Sequence, residues 1–326
     1  MKRKLVTVGA AALMALTLTA CSPGTNPGST TTPASGGDTT TASGQYTIGL
    51  AVANLQAEFF NMVKESVEAK AKELGINITT VDAGGDANTQ VTQIEDLITK
   101  KVDAIIYIPA GADAATVPVR DAHAAGIPVV TVDRNPTGEP GDTFIATDSV
   151  ASAKALGQWV VQQTGGTGNL GIIQGQLGTT PEEDRDKGFT EGIAGSSIKE
   201  VWRQASDQWH QDEGFAIAQD EFQAHPDTNI IFGRADALAL GAAQAVRAAG
   251  LSNVLIVGFD GDVAGLQAVK NGTIAATMCQ QSFLMGGMAV TSAIDLIQGK
   301  SLPVTQLQTA TLVTPDNVDQ YLAQHP

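Results

Sequence analysis

From Tyr46 onward, short apolar runs alternate with amphipathic segments along the chain, and this alternation constrains the fold more than any other feature. A strand buried on both faces reads as a continuous apolar run, and the helix after it carries the chain back for parallel pairing. Residues 46–53, YTIGLAVA, read as the first strand. Phe60, Val63, Val67, Ala71 and Leu74 then recur at helical spacing, with Gly75 placed as a C-terminal cap. Further strands are expected at 76–82, 103–108 and 128–132, with helices centred on 89–100 and 112–125. A second unit opens with a helix at 150–164 and a strand at 169–174. Strands near 198–204, 229–233 and 254–259 follow, separated by helices near 182–194, 211–224, 237–249 and 262–271.

The two halves echo each other. Residues 120–133 run RDAHAAGIPVVTVD and residues 247–260 run RAAGLSNVLIVGFD: a helix end in AAG, an apolar strand, then an aspartate. Two similar lobes are the natural expectation, and 326 residues suit two domains of about 100–200 each. Apolar residues make up 43% and charged residues 16%, too apolar a mixture for a disordered chain. In open α/β sheets ligands bind beyond the carboxyl ends of the strands. That rule directs attention to Asp133 and Arg134, to Asp236, to Asp260, and to Gln280 after the late apolar stretch.

The first 20 residues have another character. Lys2, Arg3 and Lys4 precede an apolar run from Leu5 to Thr19, shorter than the ~20 residues that span a bilayer, which reads as an export signal. Leu18-Thr19-Ala20-Cys21 closes the run and resembles the lipobox of bacterial lipoproteins, which implies that Cys21 becomes the acylated first residue of the mature chain. Of residues 22–45, 19 of 24 are Ser, Thr, Gly or Pro, so 21–45 is expected to be a lipidated cysteine with a flexible tether. Removing the three leading cations from the 19 basic residues leaves 16 against 34 acidic, a net charge of −18. Such a body is a poor match for a phosphate backbone, and no nucleic-acid partner is expected. Cys279, in the apolar stretch IAATMC, has no second cysteine to pair with once Cys21 is acylated, and is expected to be buried and inert.

Five ordered stretches now carry a longer resemblance: IGLAVANLQAEFF (48–60), IPVVTVDR (127–134), DRDKGF (184–189), PDTNIIFGRADALALGA (226–242), and IVGFDG (256–261) with AATMCQ (275–280). Over roughly 46–310 the chain resembles the periplasmic sugar-binding proteins of ribose-binding type, components of ABC import systems. The resemblance implies an α/β fold of two doubly wound parallel-sheet lobes joined by a three-strand hinge, the type I periplasmic binding protein architecture. Lobe one would comprise 46–147 plus 281–309, and lobe two 148–280 plus 310–326. Carried over residue by residue, Phe59 and Phe60 match the aromatic pair of lobe one, and Trp209 the aromatic of lobe two. Aromatic faces are negative and sugar C–H bonds slightly positive, so rings suit a sugar. Phe60 also begins the helical stripe and is divided between pocket and core, whereas Phe59 lies off the stripe. Asp133, Arg134, Arg185, Asp260 and Gln280 match polar ligands; carboxylates accept hydroxyl hydrogen bonds and guanidinium donates from a rigid fork. Arg234 and Asp236 are possible additional contacts, although Asp236, at a helix start, is also placed to cap backbone.

The chain also departs from the ribose-type pattern. Ala57, Ile108 and Ala235 stand where that family usually has asparagine, so polar contacts are missing and ribose would leave hydroxyls unpaired, at ~1–3 kcal/mol each. Gln56, Glu58, His210 or Arg234 are candidates to replace them. Another pentose, a hexose or an acyclic polyol is compatible. Catalytic signals are absent: Gly166-Thr167-Gly168-Asn169-Leu170-Gly171 fits GxGxxG but precedes a strand, and the four histidines have no metal-ligand spacing. The expectation is a non-enzymatic, monomeric, extracytoplasmic solute-binding protein without cofactor or metal, anchored to the membrane at Cys21. It would deliver a monosaccharide or polyol to an ABC permease and its ATPase. Presentation of the same sugar to a chemoreceptor or sensor kinase is the alternative.

Overall fold

The structure is a computed structural model and describes residues 46–112 and 114–323. The export segment, Cys21 and the tether lie outside the described residues. The first apolar run forms β1 (Thr47–Val52), in which Ile48 to Val52 are all buried. It leads into α1 (Glu58–Leu74), whose stripe of Phe60, Val63 and Val67 joins the lobe-one core; Ala71 is buried as well, whereas Leu74, expected in the same stripe, is exposed at the helix end. Gly75 at φ 70° ends that helix, as its lack of Cβ allows. Then come β2 (Asn77–Asp82), α2 (Ala87–Thr99), β3 (Ala104–Tyr107), α3 (Thr116–Ala124), β4 (Val129–Val132) and β5 (Thr143–Thr147). Asp86 caps α2 by accepting the Thr89 N–H at 2.5 Å.

The second pass runs through α4 (Ser149–Thr164), β6 (Thr167–Gln174), α5 (Thr180–Ile193), β7 (Ser197–Ala205) and α6 (Gln211–Ala224). It continues as β8 (Ile230–Gly233), α7 (Asp236–Ala248), β9 (Leu255–Asp260), α8 (Val263–Lys270) and β10 (Ala276–Cys279). The remainder is α9 (Ser282–Ile297), β11 (Thr305–Gln308), β12 (Thr311–Val313) and α10 (Val318–Leu322). Two six-stranded sheets result, in the orders β11-β5-β4-β3-β1-β2 and β12-β10-β9-β8-β6-β7. Every neighbouring pair is parallel except β10 with β12.

The chain therefore crosses between sheets three times, at 148, at 280–281 and at 309–310, and these crossings form the hinge of a two-lobed molecule. Each lobe has apolar packing on both faces of its sheet. In lobe one, α9 returns to contribute Met285, Ala289, Val290 and Ala293 to the core that holds α1. Gly286 permits that approach, since a Cβ there would lie 2.5 Å from the Val63 carbonyl oxygen. In lobe two Phe189 and Phe232 stack at 4.3 Å. Among the described residues no helix is long and apolar enough to cross a membrane.

Candidate functional site

Where the carboxyl ends of the two sheets face each other lies a cleft of about 450 Å³. Lobe one contributes Phe59 and Phe60 from the first turn of α1, and Asp133 and Arg134 directly after β4. Lobe two contributes Arg185 from α5, Trp209 from the β7–α6 connection, and Asp260 from the end of β9. The repeated strand-then-aspartate pattern thus places Asp133 and Asp260 on opposite walls of one cleft. Both have positive φ, 62° and 132°, and so does Trp209 at 65°. Backbone held in this region costs of order 1–3 kcal/mol per residue and persists where the surroundings enforce it, commonly at ligand clamps.

Aromatic rings and guanidinium groups alternate across the cleft. The Arg134 guanidinium lies 5.3 Å from the Phe60 ring centroid and 5.8 Å from that of Trp209, while Arg185 lies 5.6 Å from Trp209 and 4.0 Å from Phe259. Phe59 and Phe60 meet edge to face at 5.4 Å, and both are buried in the lobe-one core while lining the cleft. Trp209 rests over Gly175, where a Cβ would come within 1.9 Å of the indole. Arg134 is fixed by donating to the carbonyls of Pro109 and Ala110 at 2.9 and 3.3 Å, and Arg185 by donating to the Arg234 carbonyl at 2.5 Å.

Each arginine has an acid beside it: Arg134 Nε is 3.6 Å from Asp133, and an Arg185 terminal nitrogen is 3.3 Å from Asp260. Burial raises the Asp133 carboxyl above its usual range, opposed by Arg134 and then by Arg185 from the other lobe. Asp260 is pushed up to about 7, by burial first; Arg185 pulls it down, while Asp262 and Asp133 push it further up. Asp262 rises to about 6, mainly through burial, with Glu58 adding to the effect. Burial lowers Arg134, against the pull of Asp133.

Of the residues singled out in the sequence, Phe59, Phe60, Asp133, Arg134, Arg185, Trp209 and Asp260 all line the cleft, as do Gln56, Ala57, Glu58, His210 and Ala235. Three do not. Gln280 sits in the hinge, accepting from the Thr147 hydroxyl at 2.6 Å and donating to Asp260 at 2.7 Å, so it ties two crossings to a cleft acid. Arg234 is wholly buried inside lobe two, paired with Glu182 at 2.9 Å and with Asp186. Asp236 is likewise wholly buried; it accepts the N–H groups of Gly261 and Asp262 and the Thr277 hydroxyl, and so braces the β9–α8 loop instead of capping its own helix. Burial, reinforced by Asp262 and Asp260, holds its carboxyl well above the usual range. Cys279 is buried too, its thiol pushed up to about 12 by burial and the neighbouring acids. Sequence reasoning missed Asp262, Pro181, Gln211, Asp212, Ala237, Leu240 and Ala264, which line the cleft from the caps and first two turns of α5, α6, α7 and α8. Their signal was available, because each lies just beyond the end of a lobe-two strand.

The lobes touch across the rim. Asn54 Nδ2 and His210 Nε2 are 3.0 Å apart, Glu58 accepts the Val263 N–H at 3.1 Å, and the Asn135 N–H donates to Thr180 Oγ1 at 3.0 Å. Two like lobes with a hinge at one side, a charged and aromatic cleft between them and hydrogen bonds across its rim define a protein that encloses a small ligand. The chain belongs to the family of periplasmic binding protein domains, whose model matches residues 48–301. It is 32% identical over 261 residues to the ribose import binding protein of Bacillus subtilis, covering 80% of this chain and 85% of that one. It is 32% identical over 321 residues to the xylitol-binding protein of Mycolicibacterium smegmatis, covering 97% and 87%. An ABC transporter solute-binding protein from Bacillus halodurans, solved with bound myo-inositol, superposes with a TM-score of 0.81 at 27% identity, covering 86% of this chain and 99% of that one.

Proposed function

We propose that this protein captures a monosaccharide or polyol between its lobes outside the cytoplasm and delivers it to an ABC import permease, with no chemistry on the ligand. The observation that carries this reading is the cleft itself. Rings from both lobes, Phe59, Phe60 and Trp209, offer faces to C–H bonds, and Asp133, Arg134, Arg185 and Asp260 offer acceptors and donors to hydroxyls. Relatives named for ribose, xylitol and apiose support it, as do solved neighbours with bound allose, inositol and L-arabinofuranose. In this reading the seven cleft residues contact the ligand directly, and Gln280 positions Asp260 from the hinge. Lobe one is 46–147 with 281–309, lobe two is 148–280 with 310–326, and the monomer is tethered by acylated Cys21. Bound ligand shifts the population toward the closed arrangement, and micromolar affinity corresponds to about −8 kcal/mol. A thermal-shift screen against pentoses, hexoses and polyols tests it: one class should raise the melting temperature, and no response at millimolar concentration would overturn the sugar assignment.

A further inference from the structure

Trp209 meets both arginines of the cleft from a short connection, residues 206–210, between β7 and α6. Two features of this residue call for support. Its backbone stands at φ 65°, which is disfavoured for a bulky side chain. Its indole Nε1 is buried without a hydrogen-bond partner among the described residues, so the ring has no polar anchor of its own. Glu213 supplies the support. It is the third residue of α6, where a carboxylate commonly accepts the N–H of the residue preceding the helix, and it accepts the His210 N–H at 2.9 Å. That bond alone would cap α6. Glu213 also accepts the Asp207 N–H at 2.9 Å and the Gln208 N–H at 3.1 Å, so one carboxylate binds the backbone on both sides of Trp209. The floor under the ring is fixed as well: the Gly175 N–H donates to Glu182 at 2.7 Å, and the indole lies where a side chain at Gly175 would be.

We infer that Glu213, which does not itself line the cleft, is a positioning residue of the ligand site and acts by holding Trp209 in its left-handed backbone conformation over Gly175. The inference rests on the sugar-binding reading above in taking Trp209 as a ligand contact. Without Glu213, water can bond the freed N–H groups of this partly exposed connection, so the fold survives. The three bonds no longer oppose the return of residue 209 to negative φ, and the indole leaves the position from which it faces a ligand. The same connection also touches lobe one, through the Asn54–His210 contact and through the Gln208 side chain, which lies against Gly85. A second route from Glu213 to affinity therefore exists, and the test must separate the two.

The experiment has a ligand-free arm and a binding arm. Protein labelled with 5-fluorotryptophan carries three fluorine signals, from Trp159, Trp202 and Trp209, and Trp209→Phe assigns the third. In ligand-free Glu213→Ala the Trp209 signal should shift or broaden while the other two stay in place. An unmoved Trp209 signal, or equal movement of all three, overturns the inference. The binding arm is a double-mutant cycle with whichever of D-ribose, xylitol, D-allose, myo-inositol and L-arabinose raises the melting temperature most. Glu213→Ala should weaken binding about tenfold in the native background and less than about twofold in Trp209→Ala. Equal losses in the two backgrounds would mean that Glu213 acts through the rim contacts of Gln208 and His210; they overturn the inference and leave the sugar-binding reading standing. No binding by any sugar or polyol overturns that reading and, like a Trp209→Ala protein too weak to titrate, leaves the fluorine arm to decide this one. Glu213→Gln, which keeps one acceptor oxygen, should give smaller changes of the same kind, and it takes the place of Glu213→Ala if that variant does not fold.

Discussion

Arg185→Met removes the guanidinium 3.3 Å from Asp260 and keeps an unbranched side chain of similar reach over the Phe259 ring. The folded Asp260 carboxyl stands at about 7, against an unfolded reference of about 3.9. Folding therefore takes up a proton between these values, and the native protein loses stability as pH rises from about 4 to about 7. Above pH 7 the carboxylate is ionised and Arg185 holds it. Without Arg185 the folded value climbs further, so the variant keeps losing stability above pH 7, by ~1.4 kcal/mol per pH unit until the new value is passed. Breaking a buried pair from one side costs ~3–5 kcal/mol in all. At about 2–4 °C per kcal/mol for a body of this size, the ligand-free variant should melt roughly 10 °C below the native protein at pH 8.5. At pH 5, where Asp260 is protonated in both, the gap should close to within about 3 °C, as read by scanning calorimetry. A deficit equal at the two pH values, or larger at pH 5, would refute an Asp260 carboxylate held by Arg185.

Gly175→Ala places a methyl where the Trp209 indole lies, yet Gly175 is not in the positive-φ region, so the fold should survive. Tryptophan fluorescence should change and ligand affinity fall at least about tenfold by calorimetry; unchanged affinity would mean that the indole makes no ligand contact. Asp133→Ala should abolish detectable binding and lower the melting temperature by roughly 10 °C, since it leaves the buried Arg134 without its acid and puts alanine at φ 62°; retained affinity in the folded variant would mean that Asp133 makes no ligand contact. Cys279, with its thiol pushed up to about 12, should resist iodoacetamide at pH 8 in the native protein and react fully in guanidinium, as followed by mass spectrometry.

The sequence carried the parallel strands of both sheets where they are long apolar runs, as in YTIGLAVA, and the helix of Phe60, Val63 and Val67, because burial on both faces leaves a local pattern. It did not carry β5, β10 and α9, although the two strands are wholly buried and α9 joins the lobe-one core, nor β11 and β12, whose residues TQLQ and TLV are exposed or half-buried at sheet edges except Val313 and owe their pairing to strands more than 150 and about 30 residues away. Asp133 and Asp260 were legible because each directly follows or ends a strand with the same preceding pattern. Arg234 and Asp236 follow β8 in the same way, yet they turn inward. Their partners, Glu182 and Asp186 on α5 and the loop at Gly261, are brought by tertiary structure, and no spacing in the chain announces them. The hydrogen bond from Val263 to Glu58 joins residues 205 apart and is equally invisible in one dimension.

A crystal structure of the protein with its bound ligand, either co-purified or taken from the thermal screen, tests the central claim most directly. The account predicts one sugar or polyol in the cleft, its hydroxyls within hydrogen-bond distance of Asp133, Arg134, Arg185 and Asp260 and its C–H face on Trp209 or Phe59. Density for a ligand away from those residues, or for one without hydroxyl groups, would contradict it.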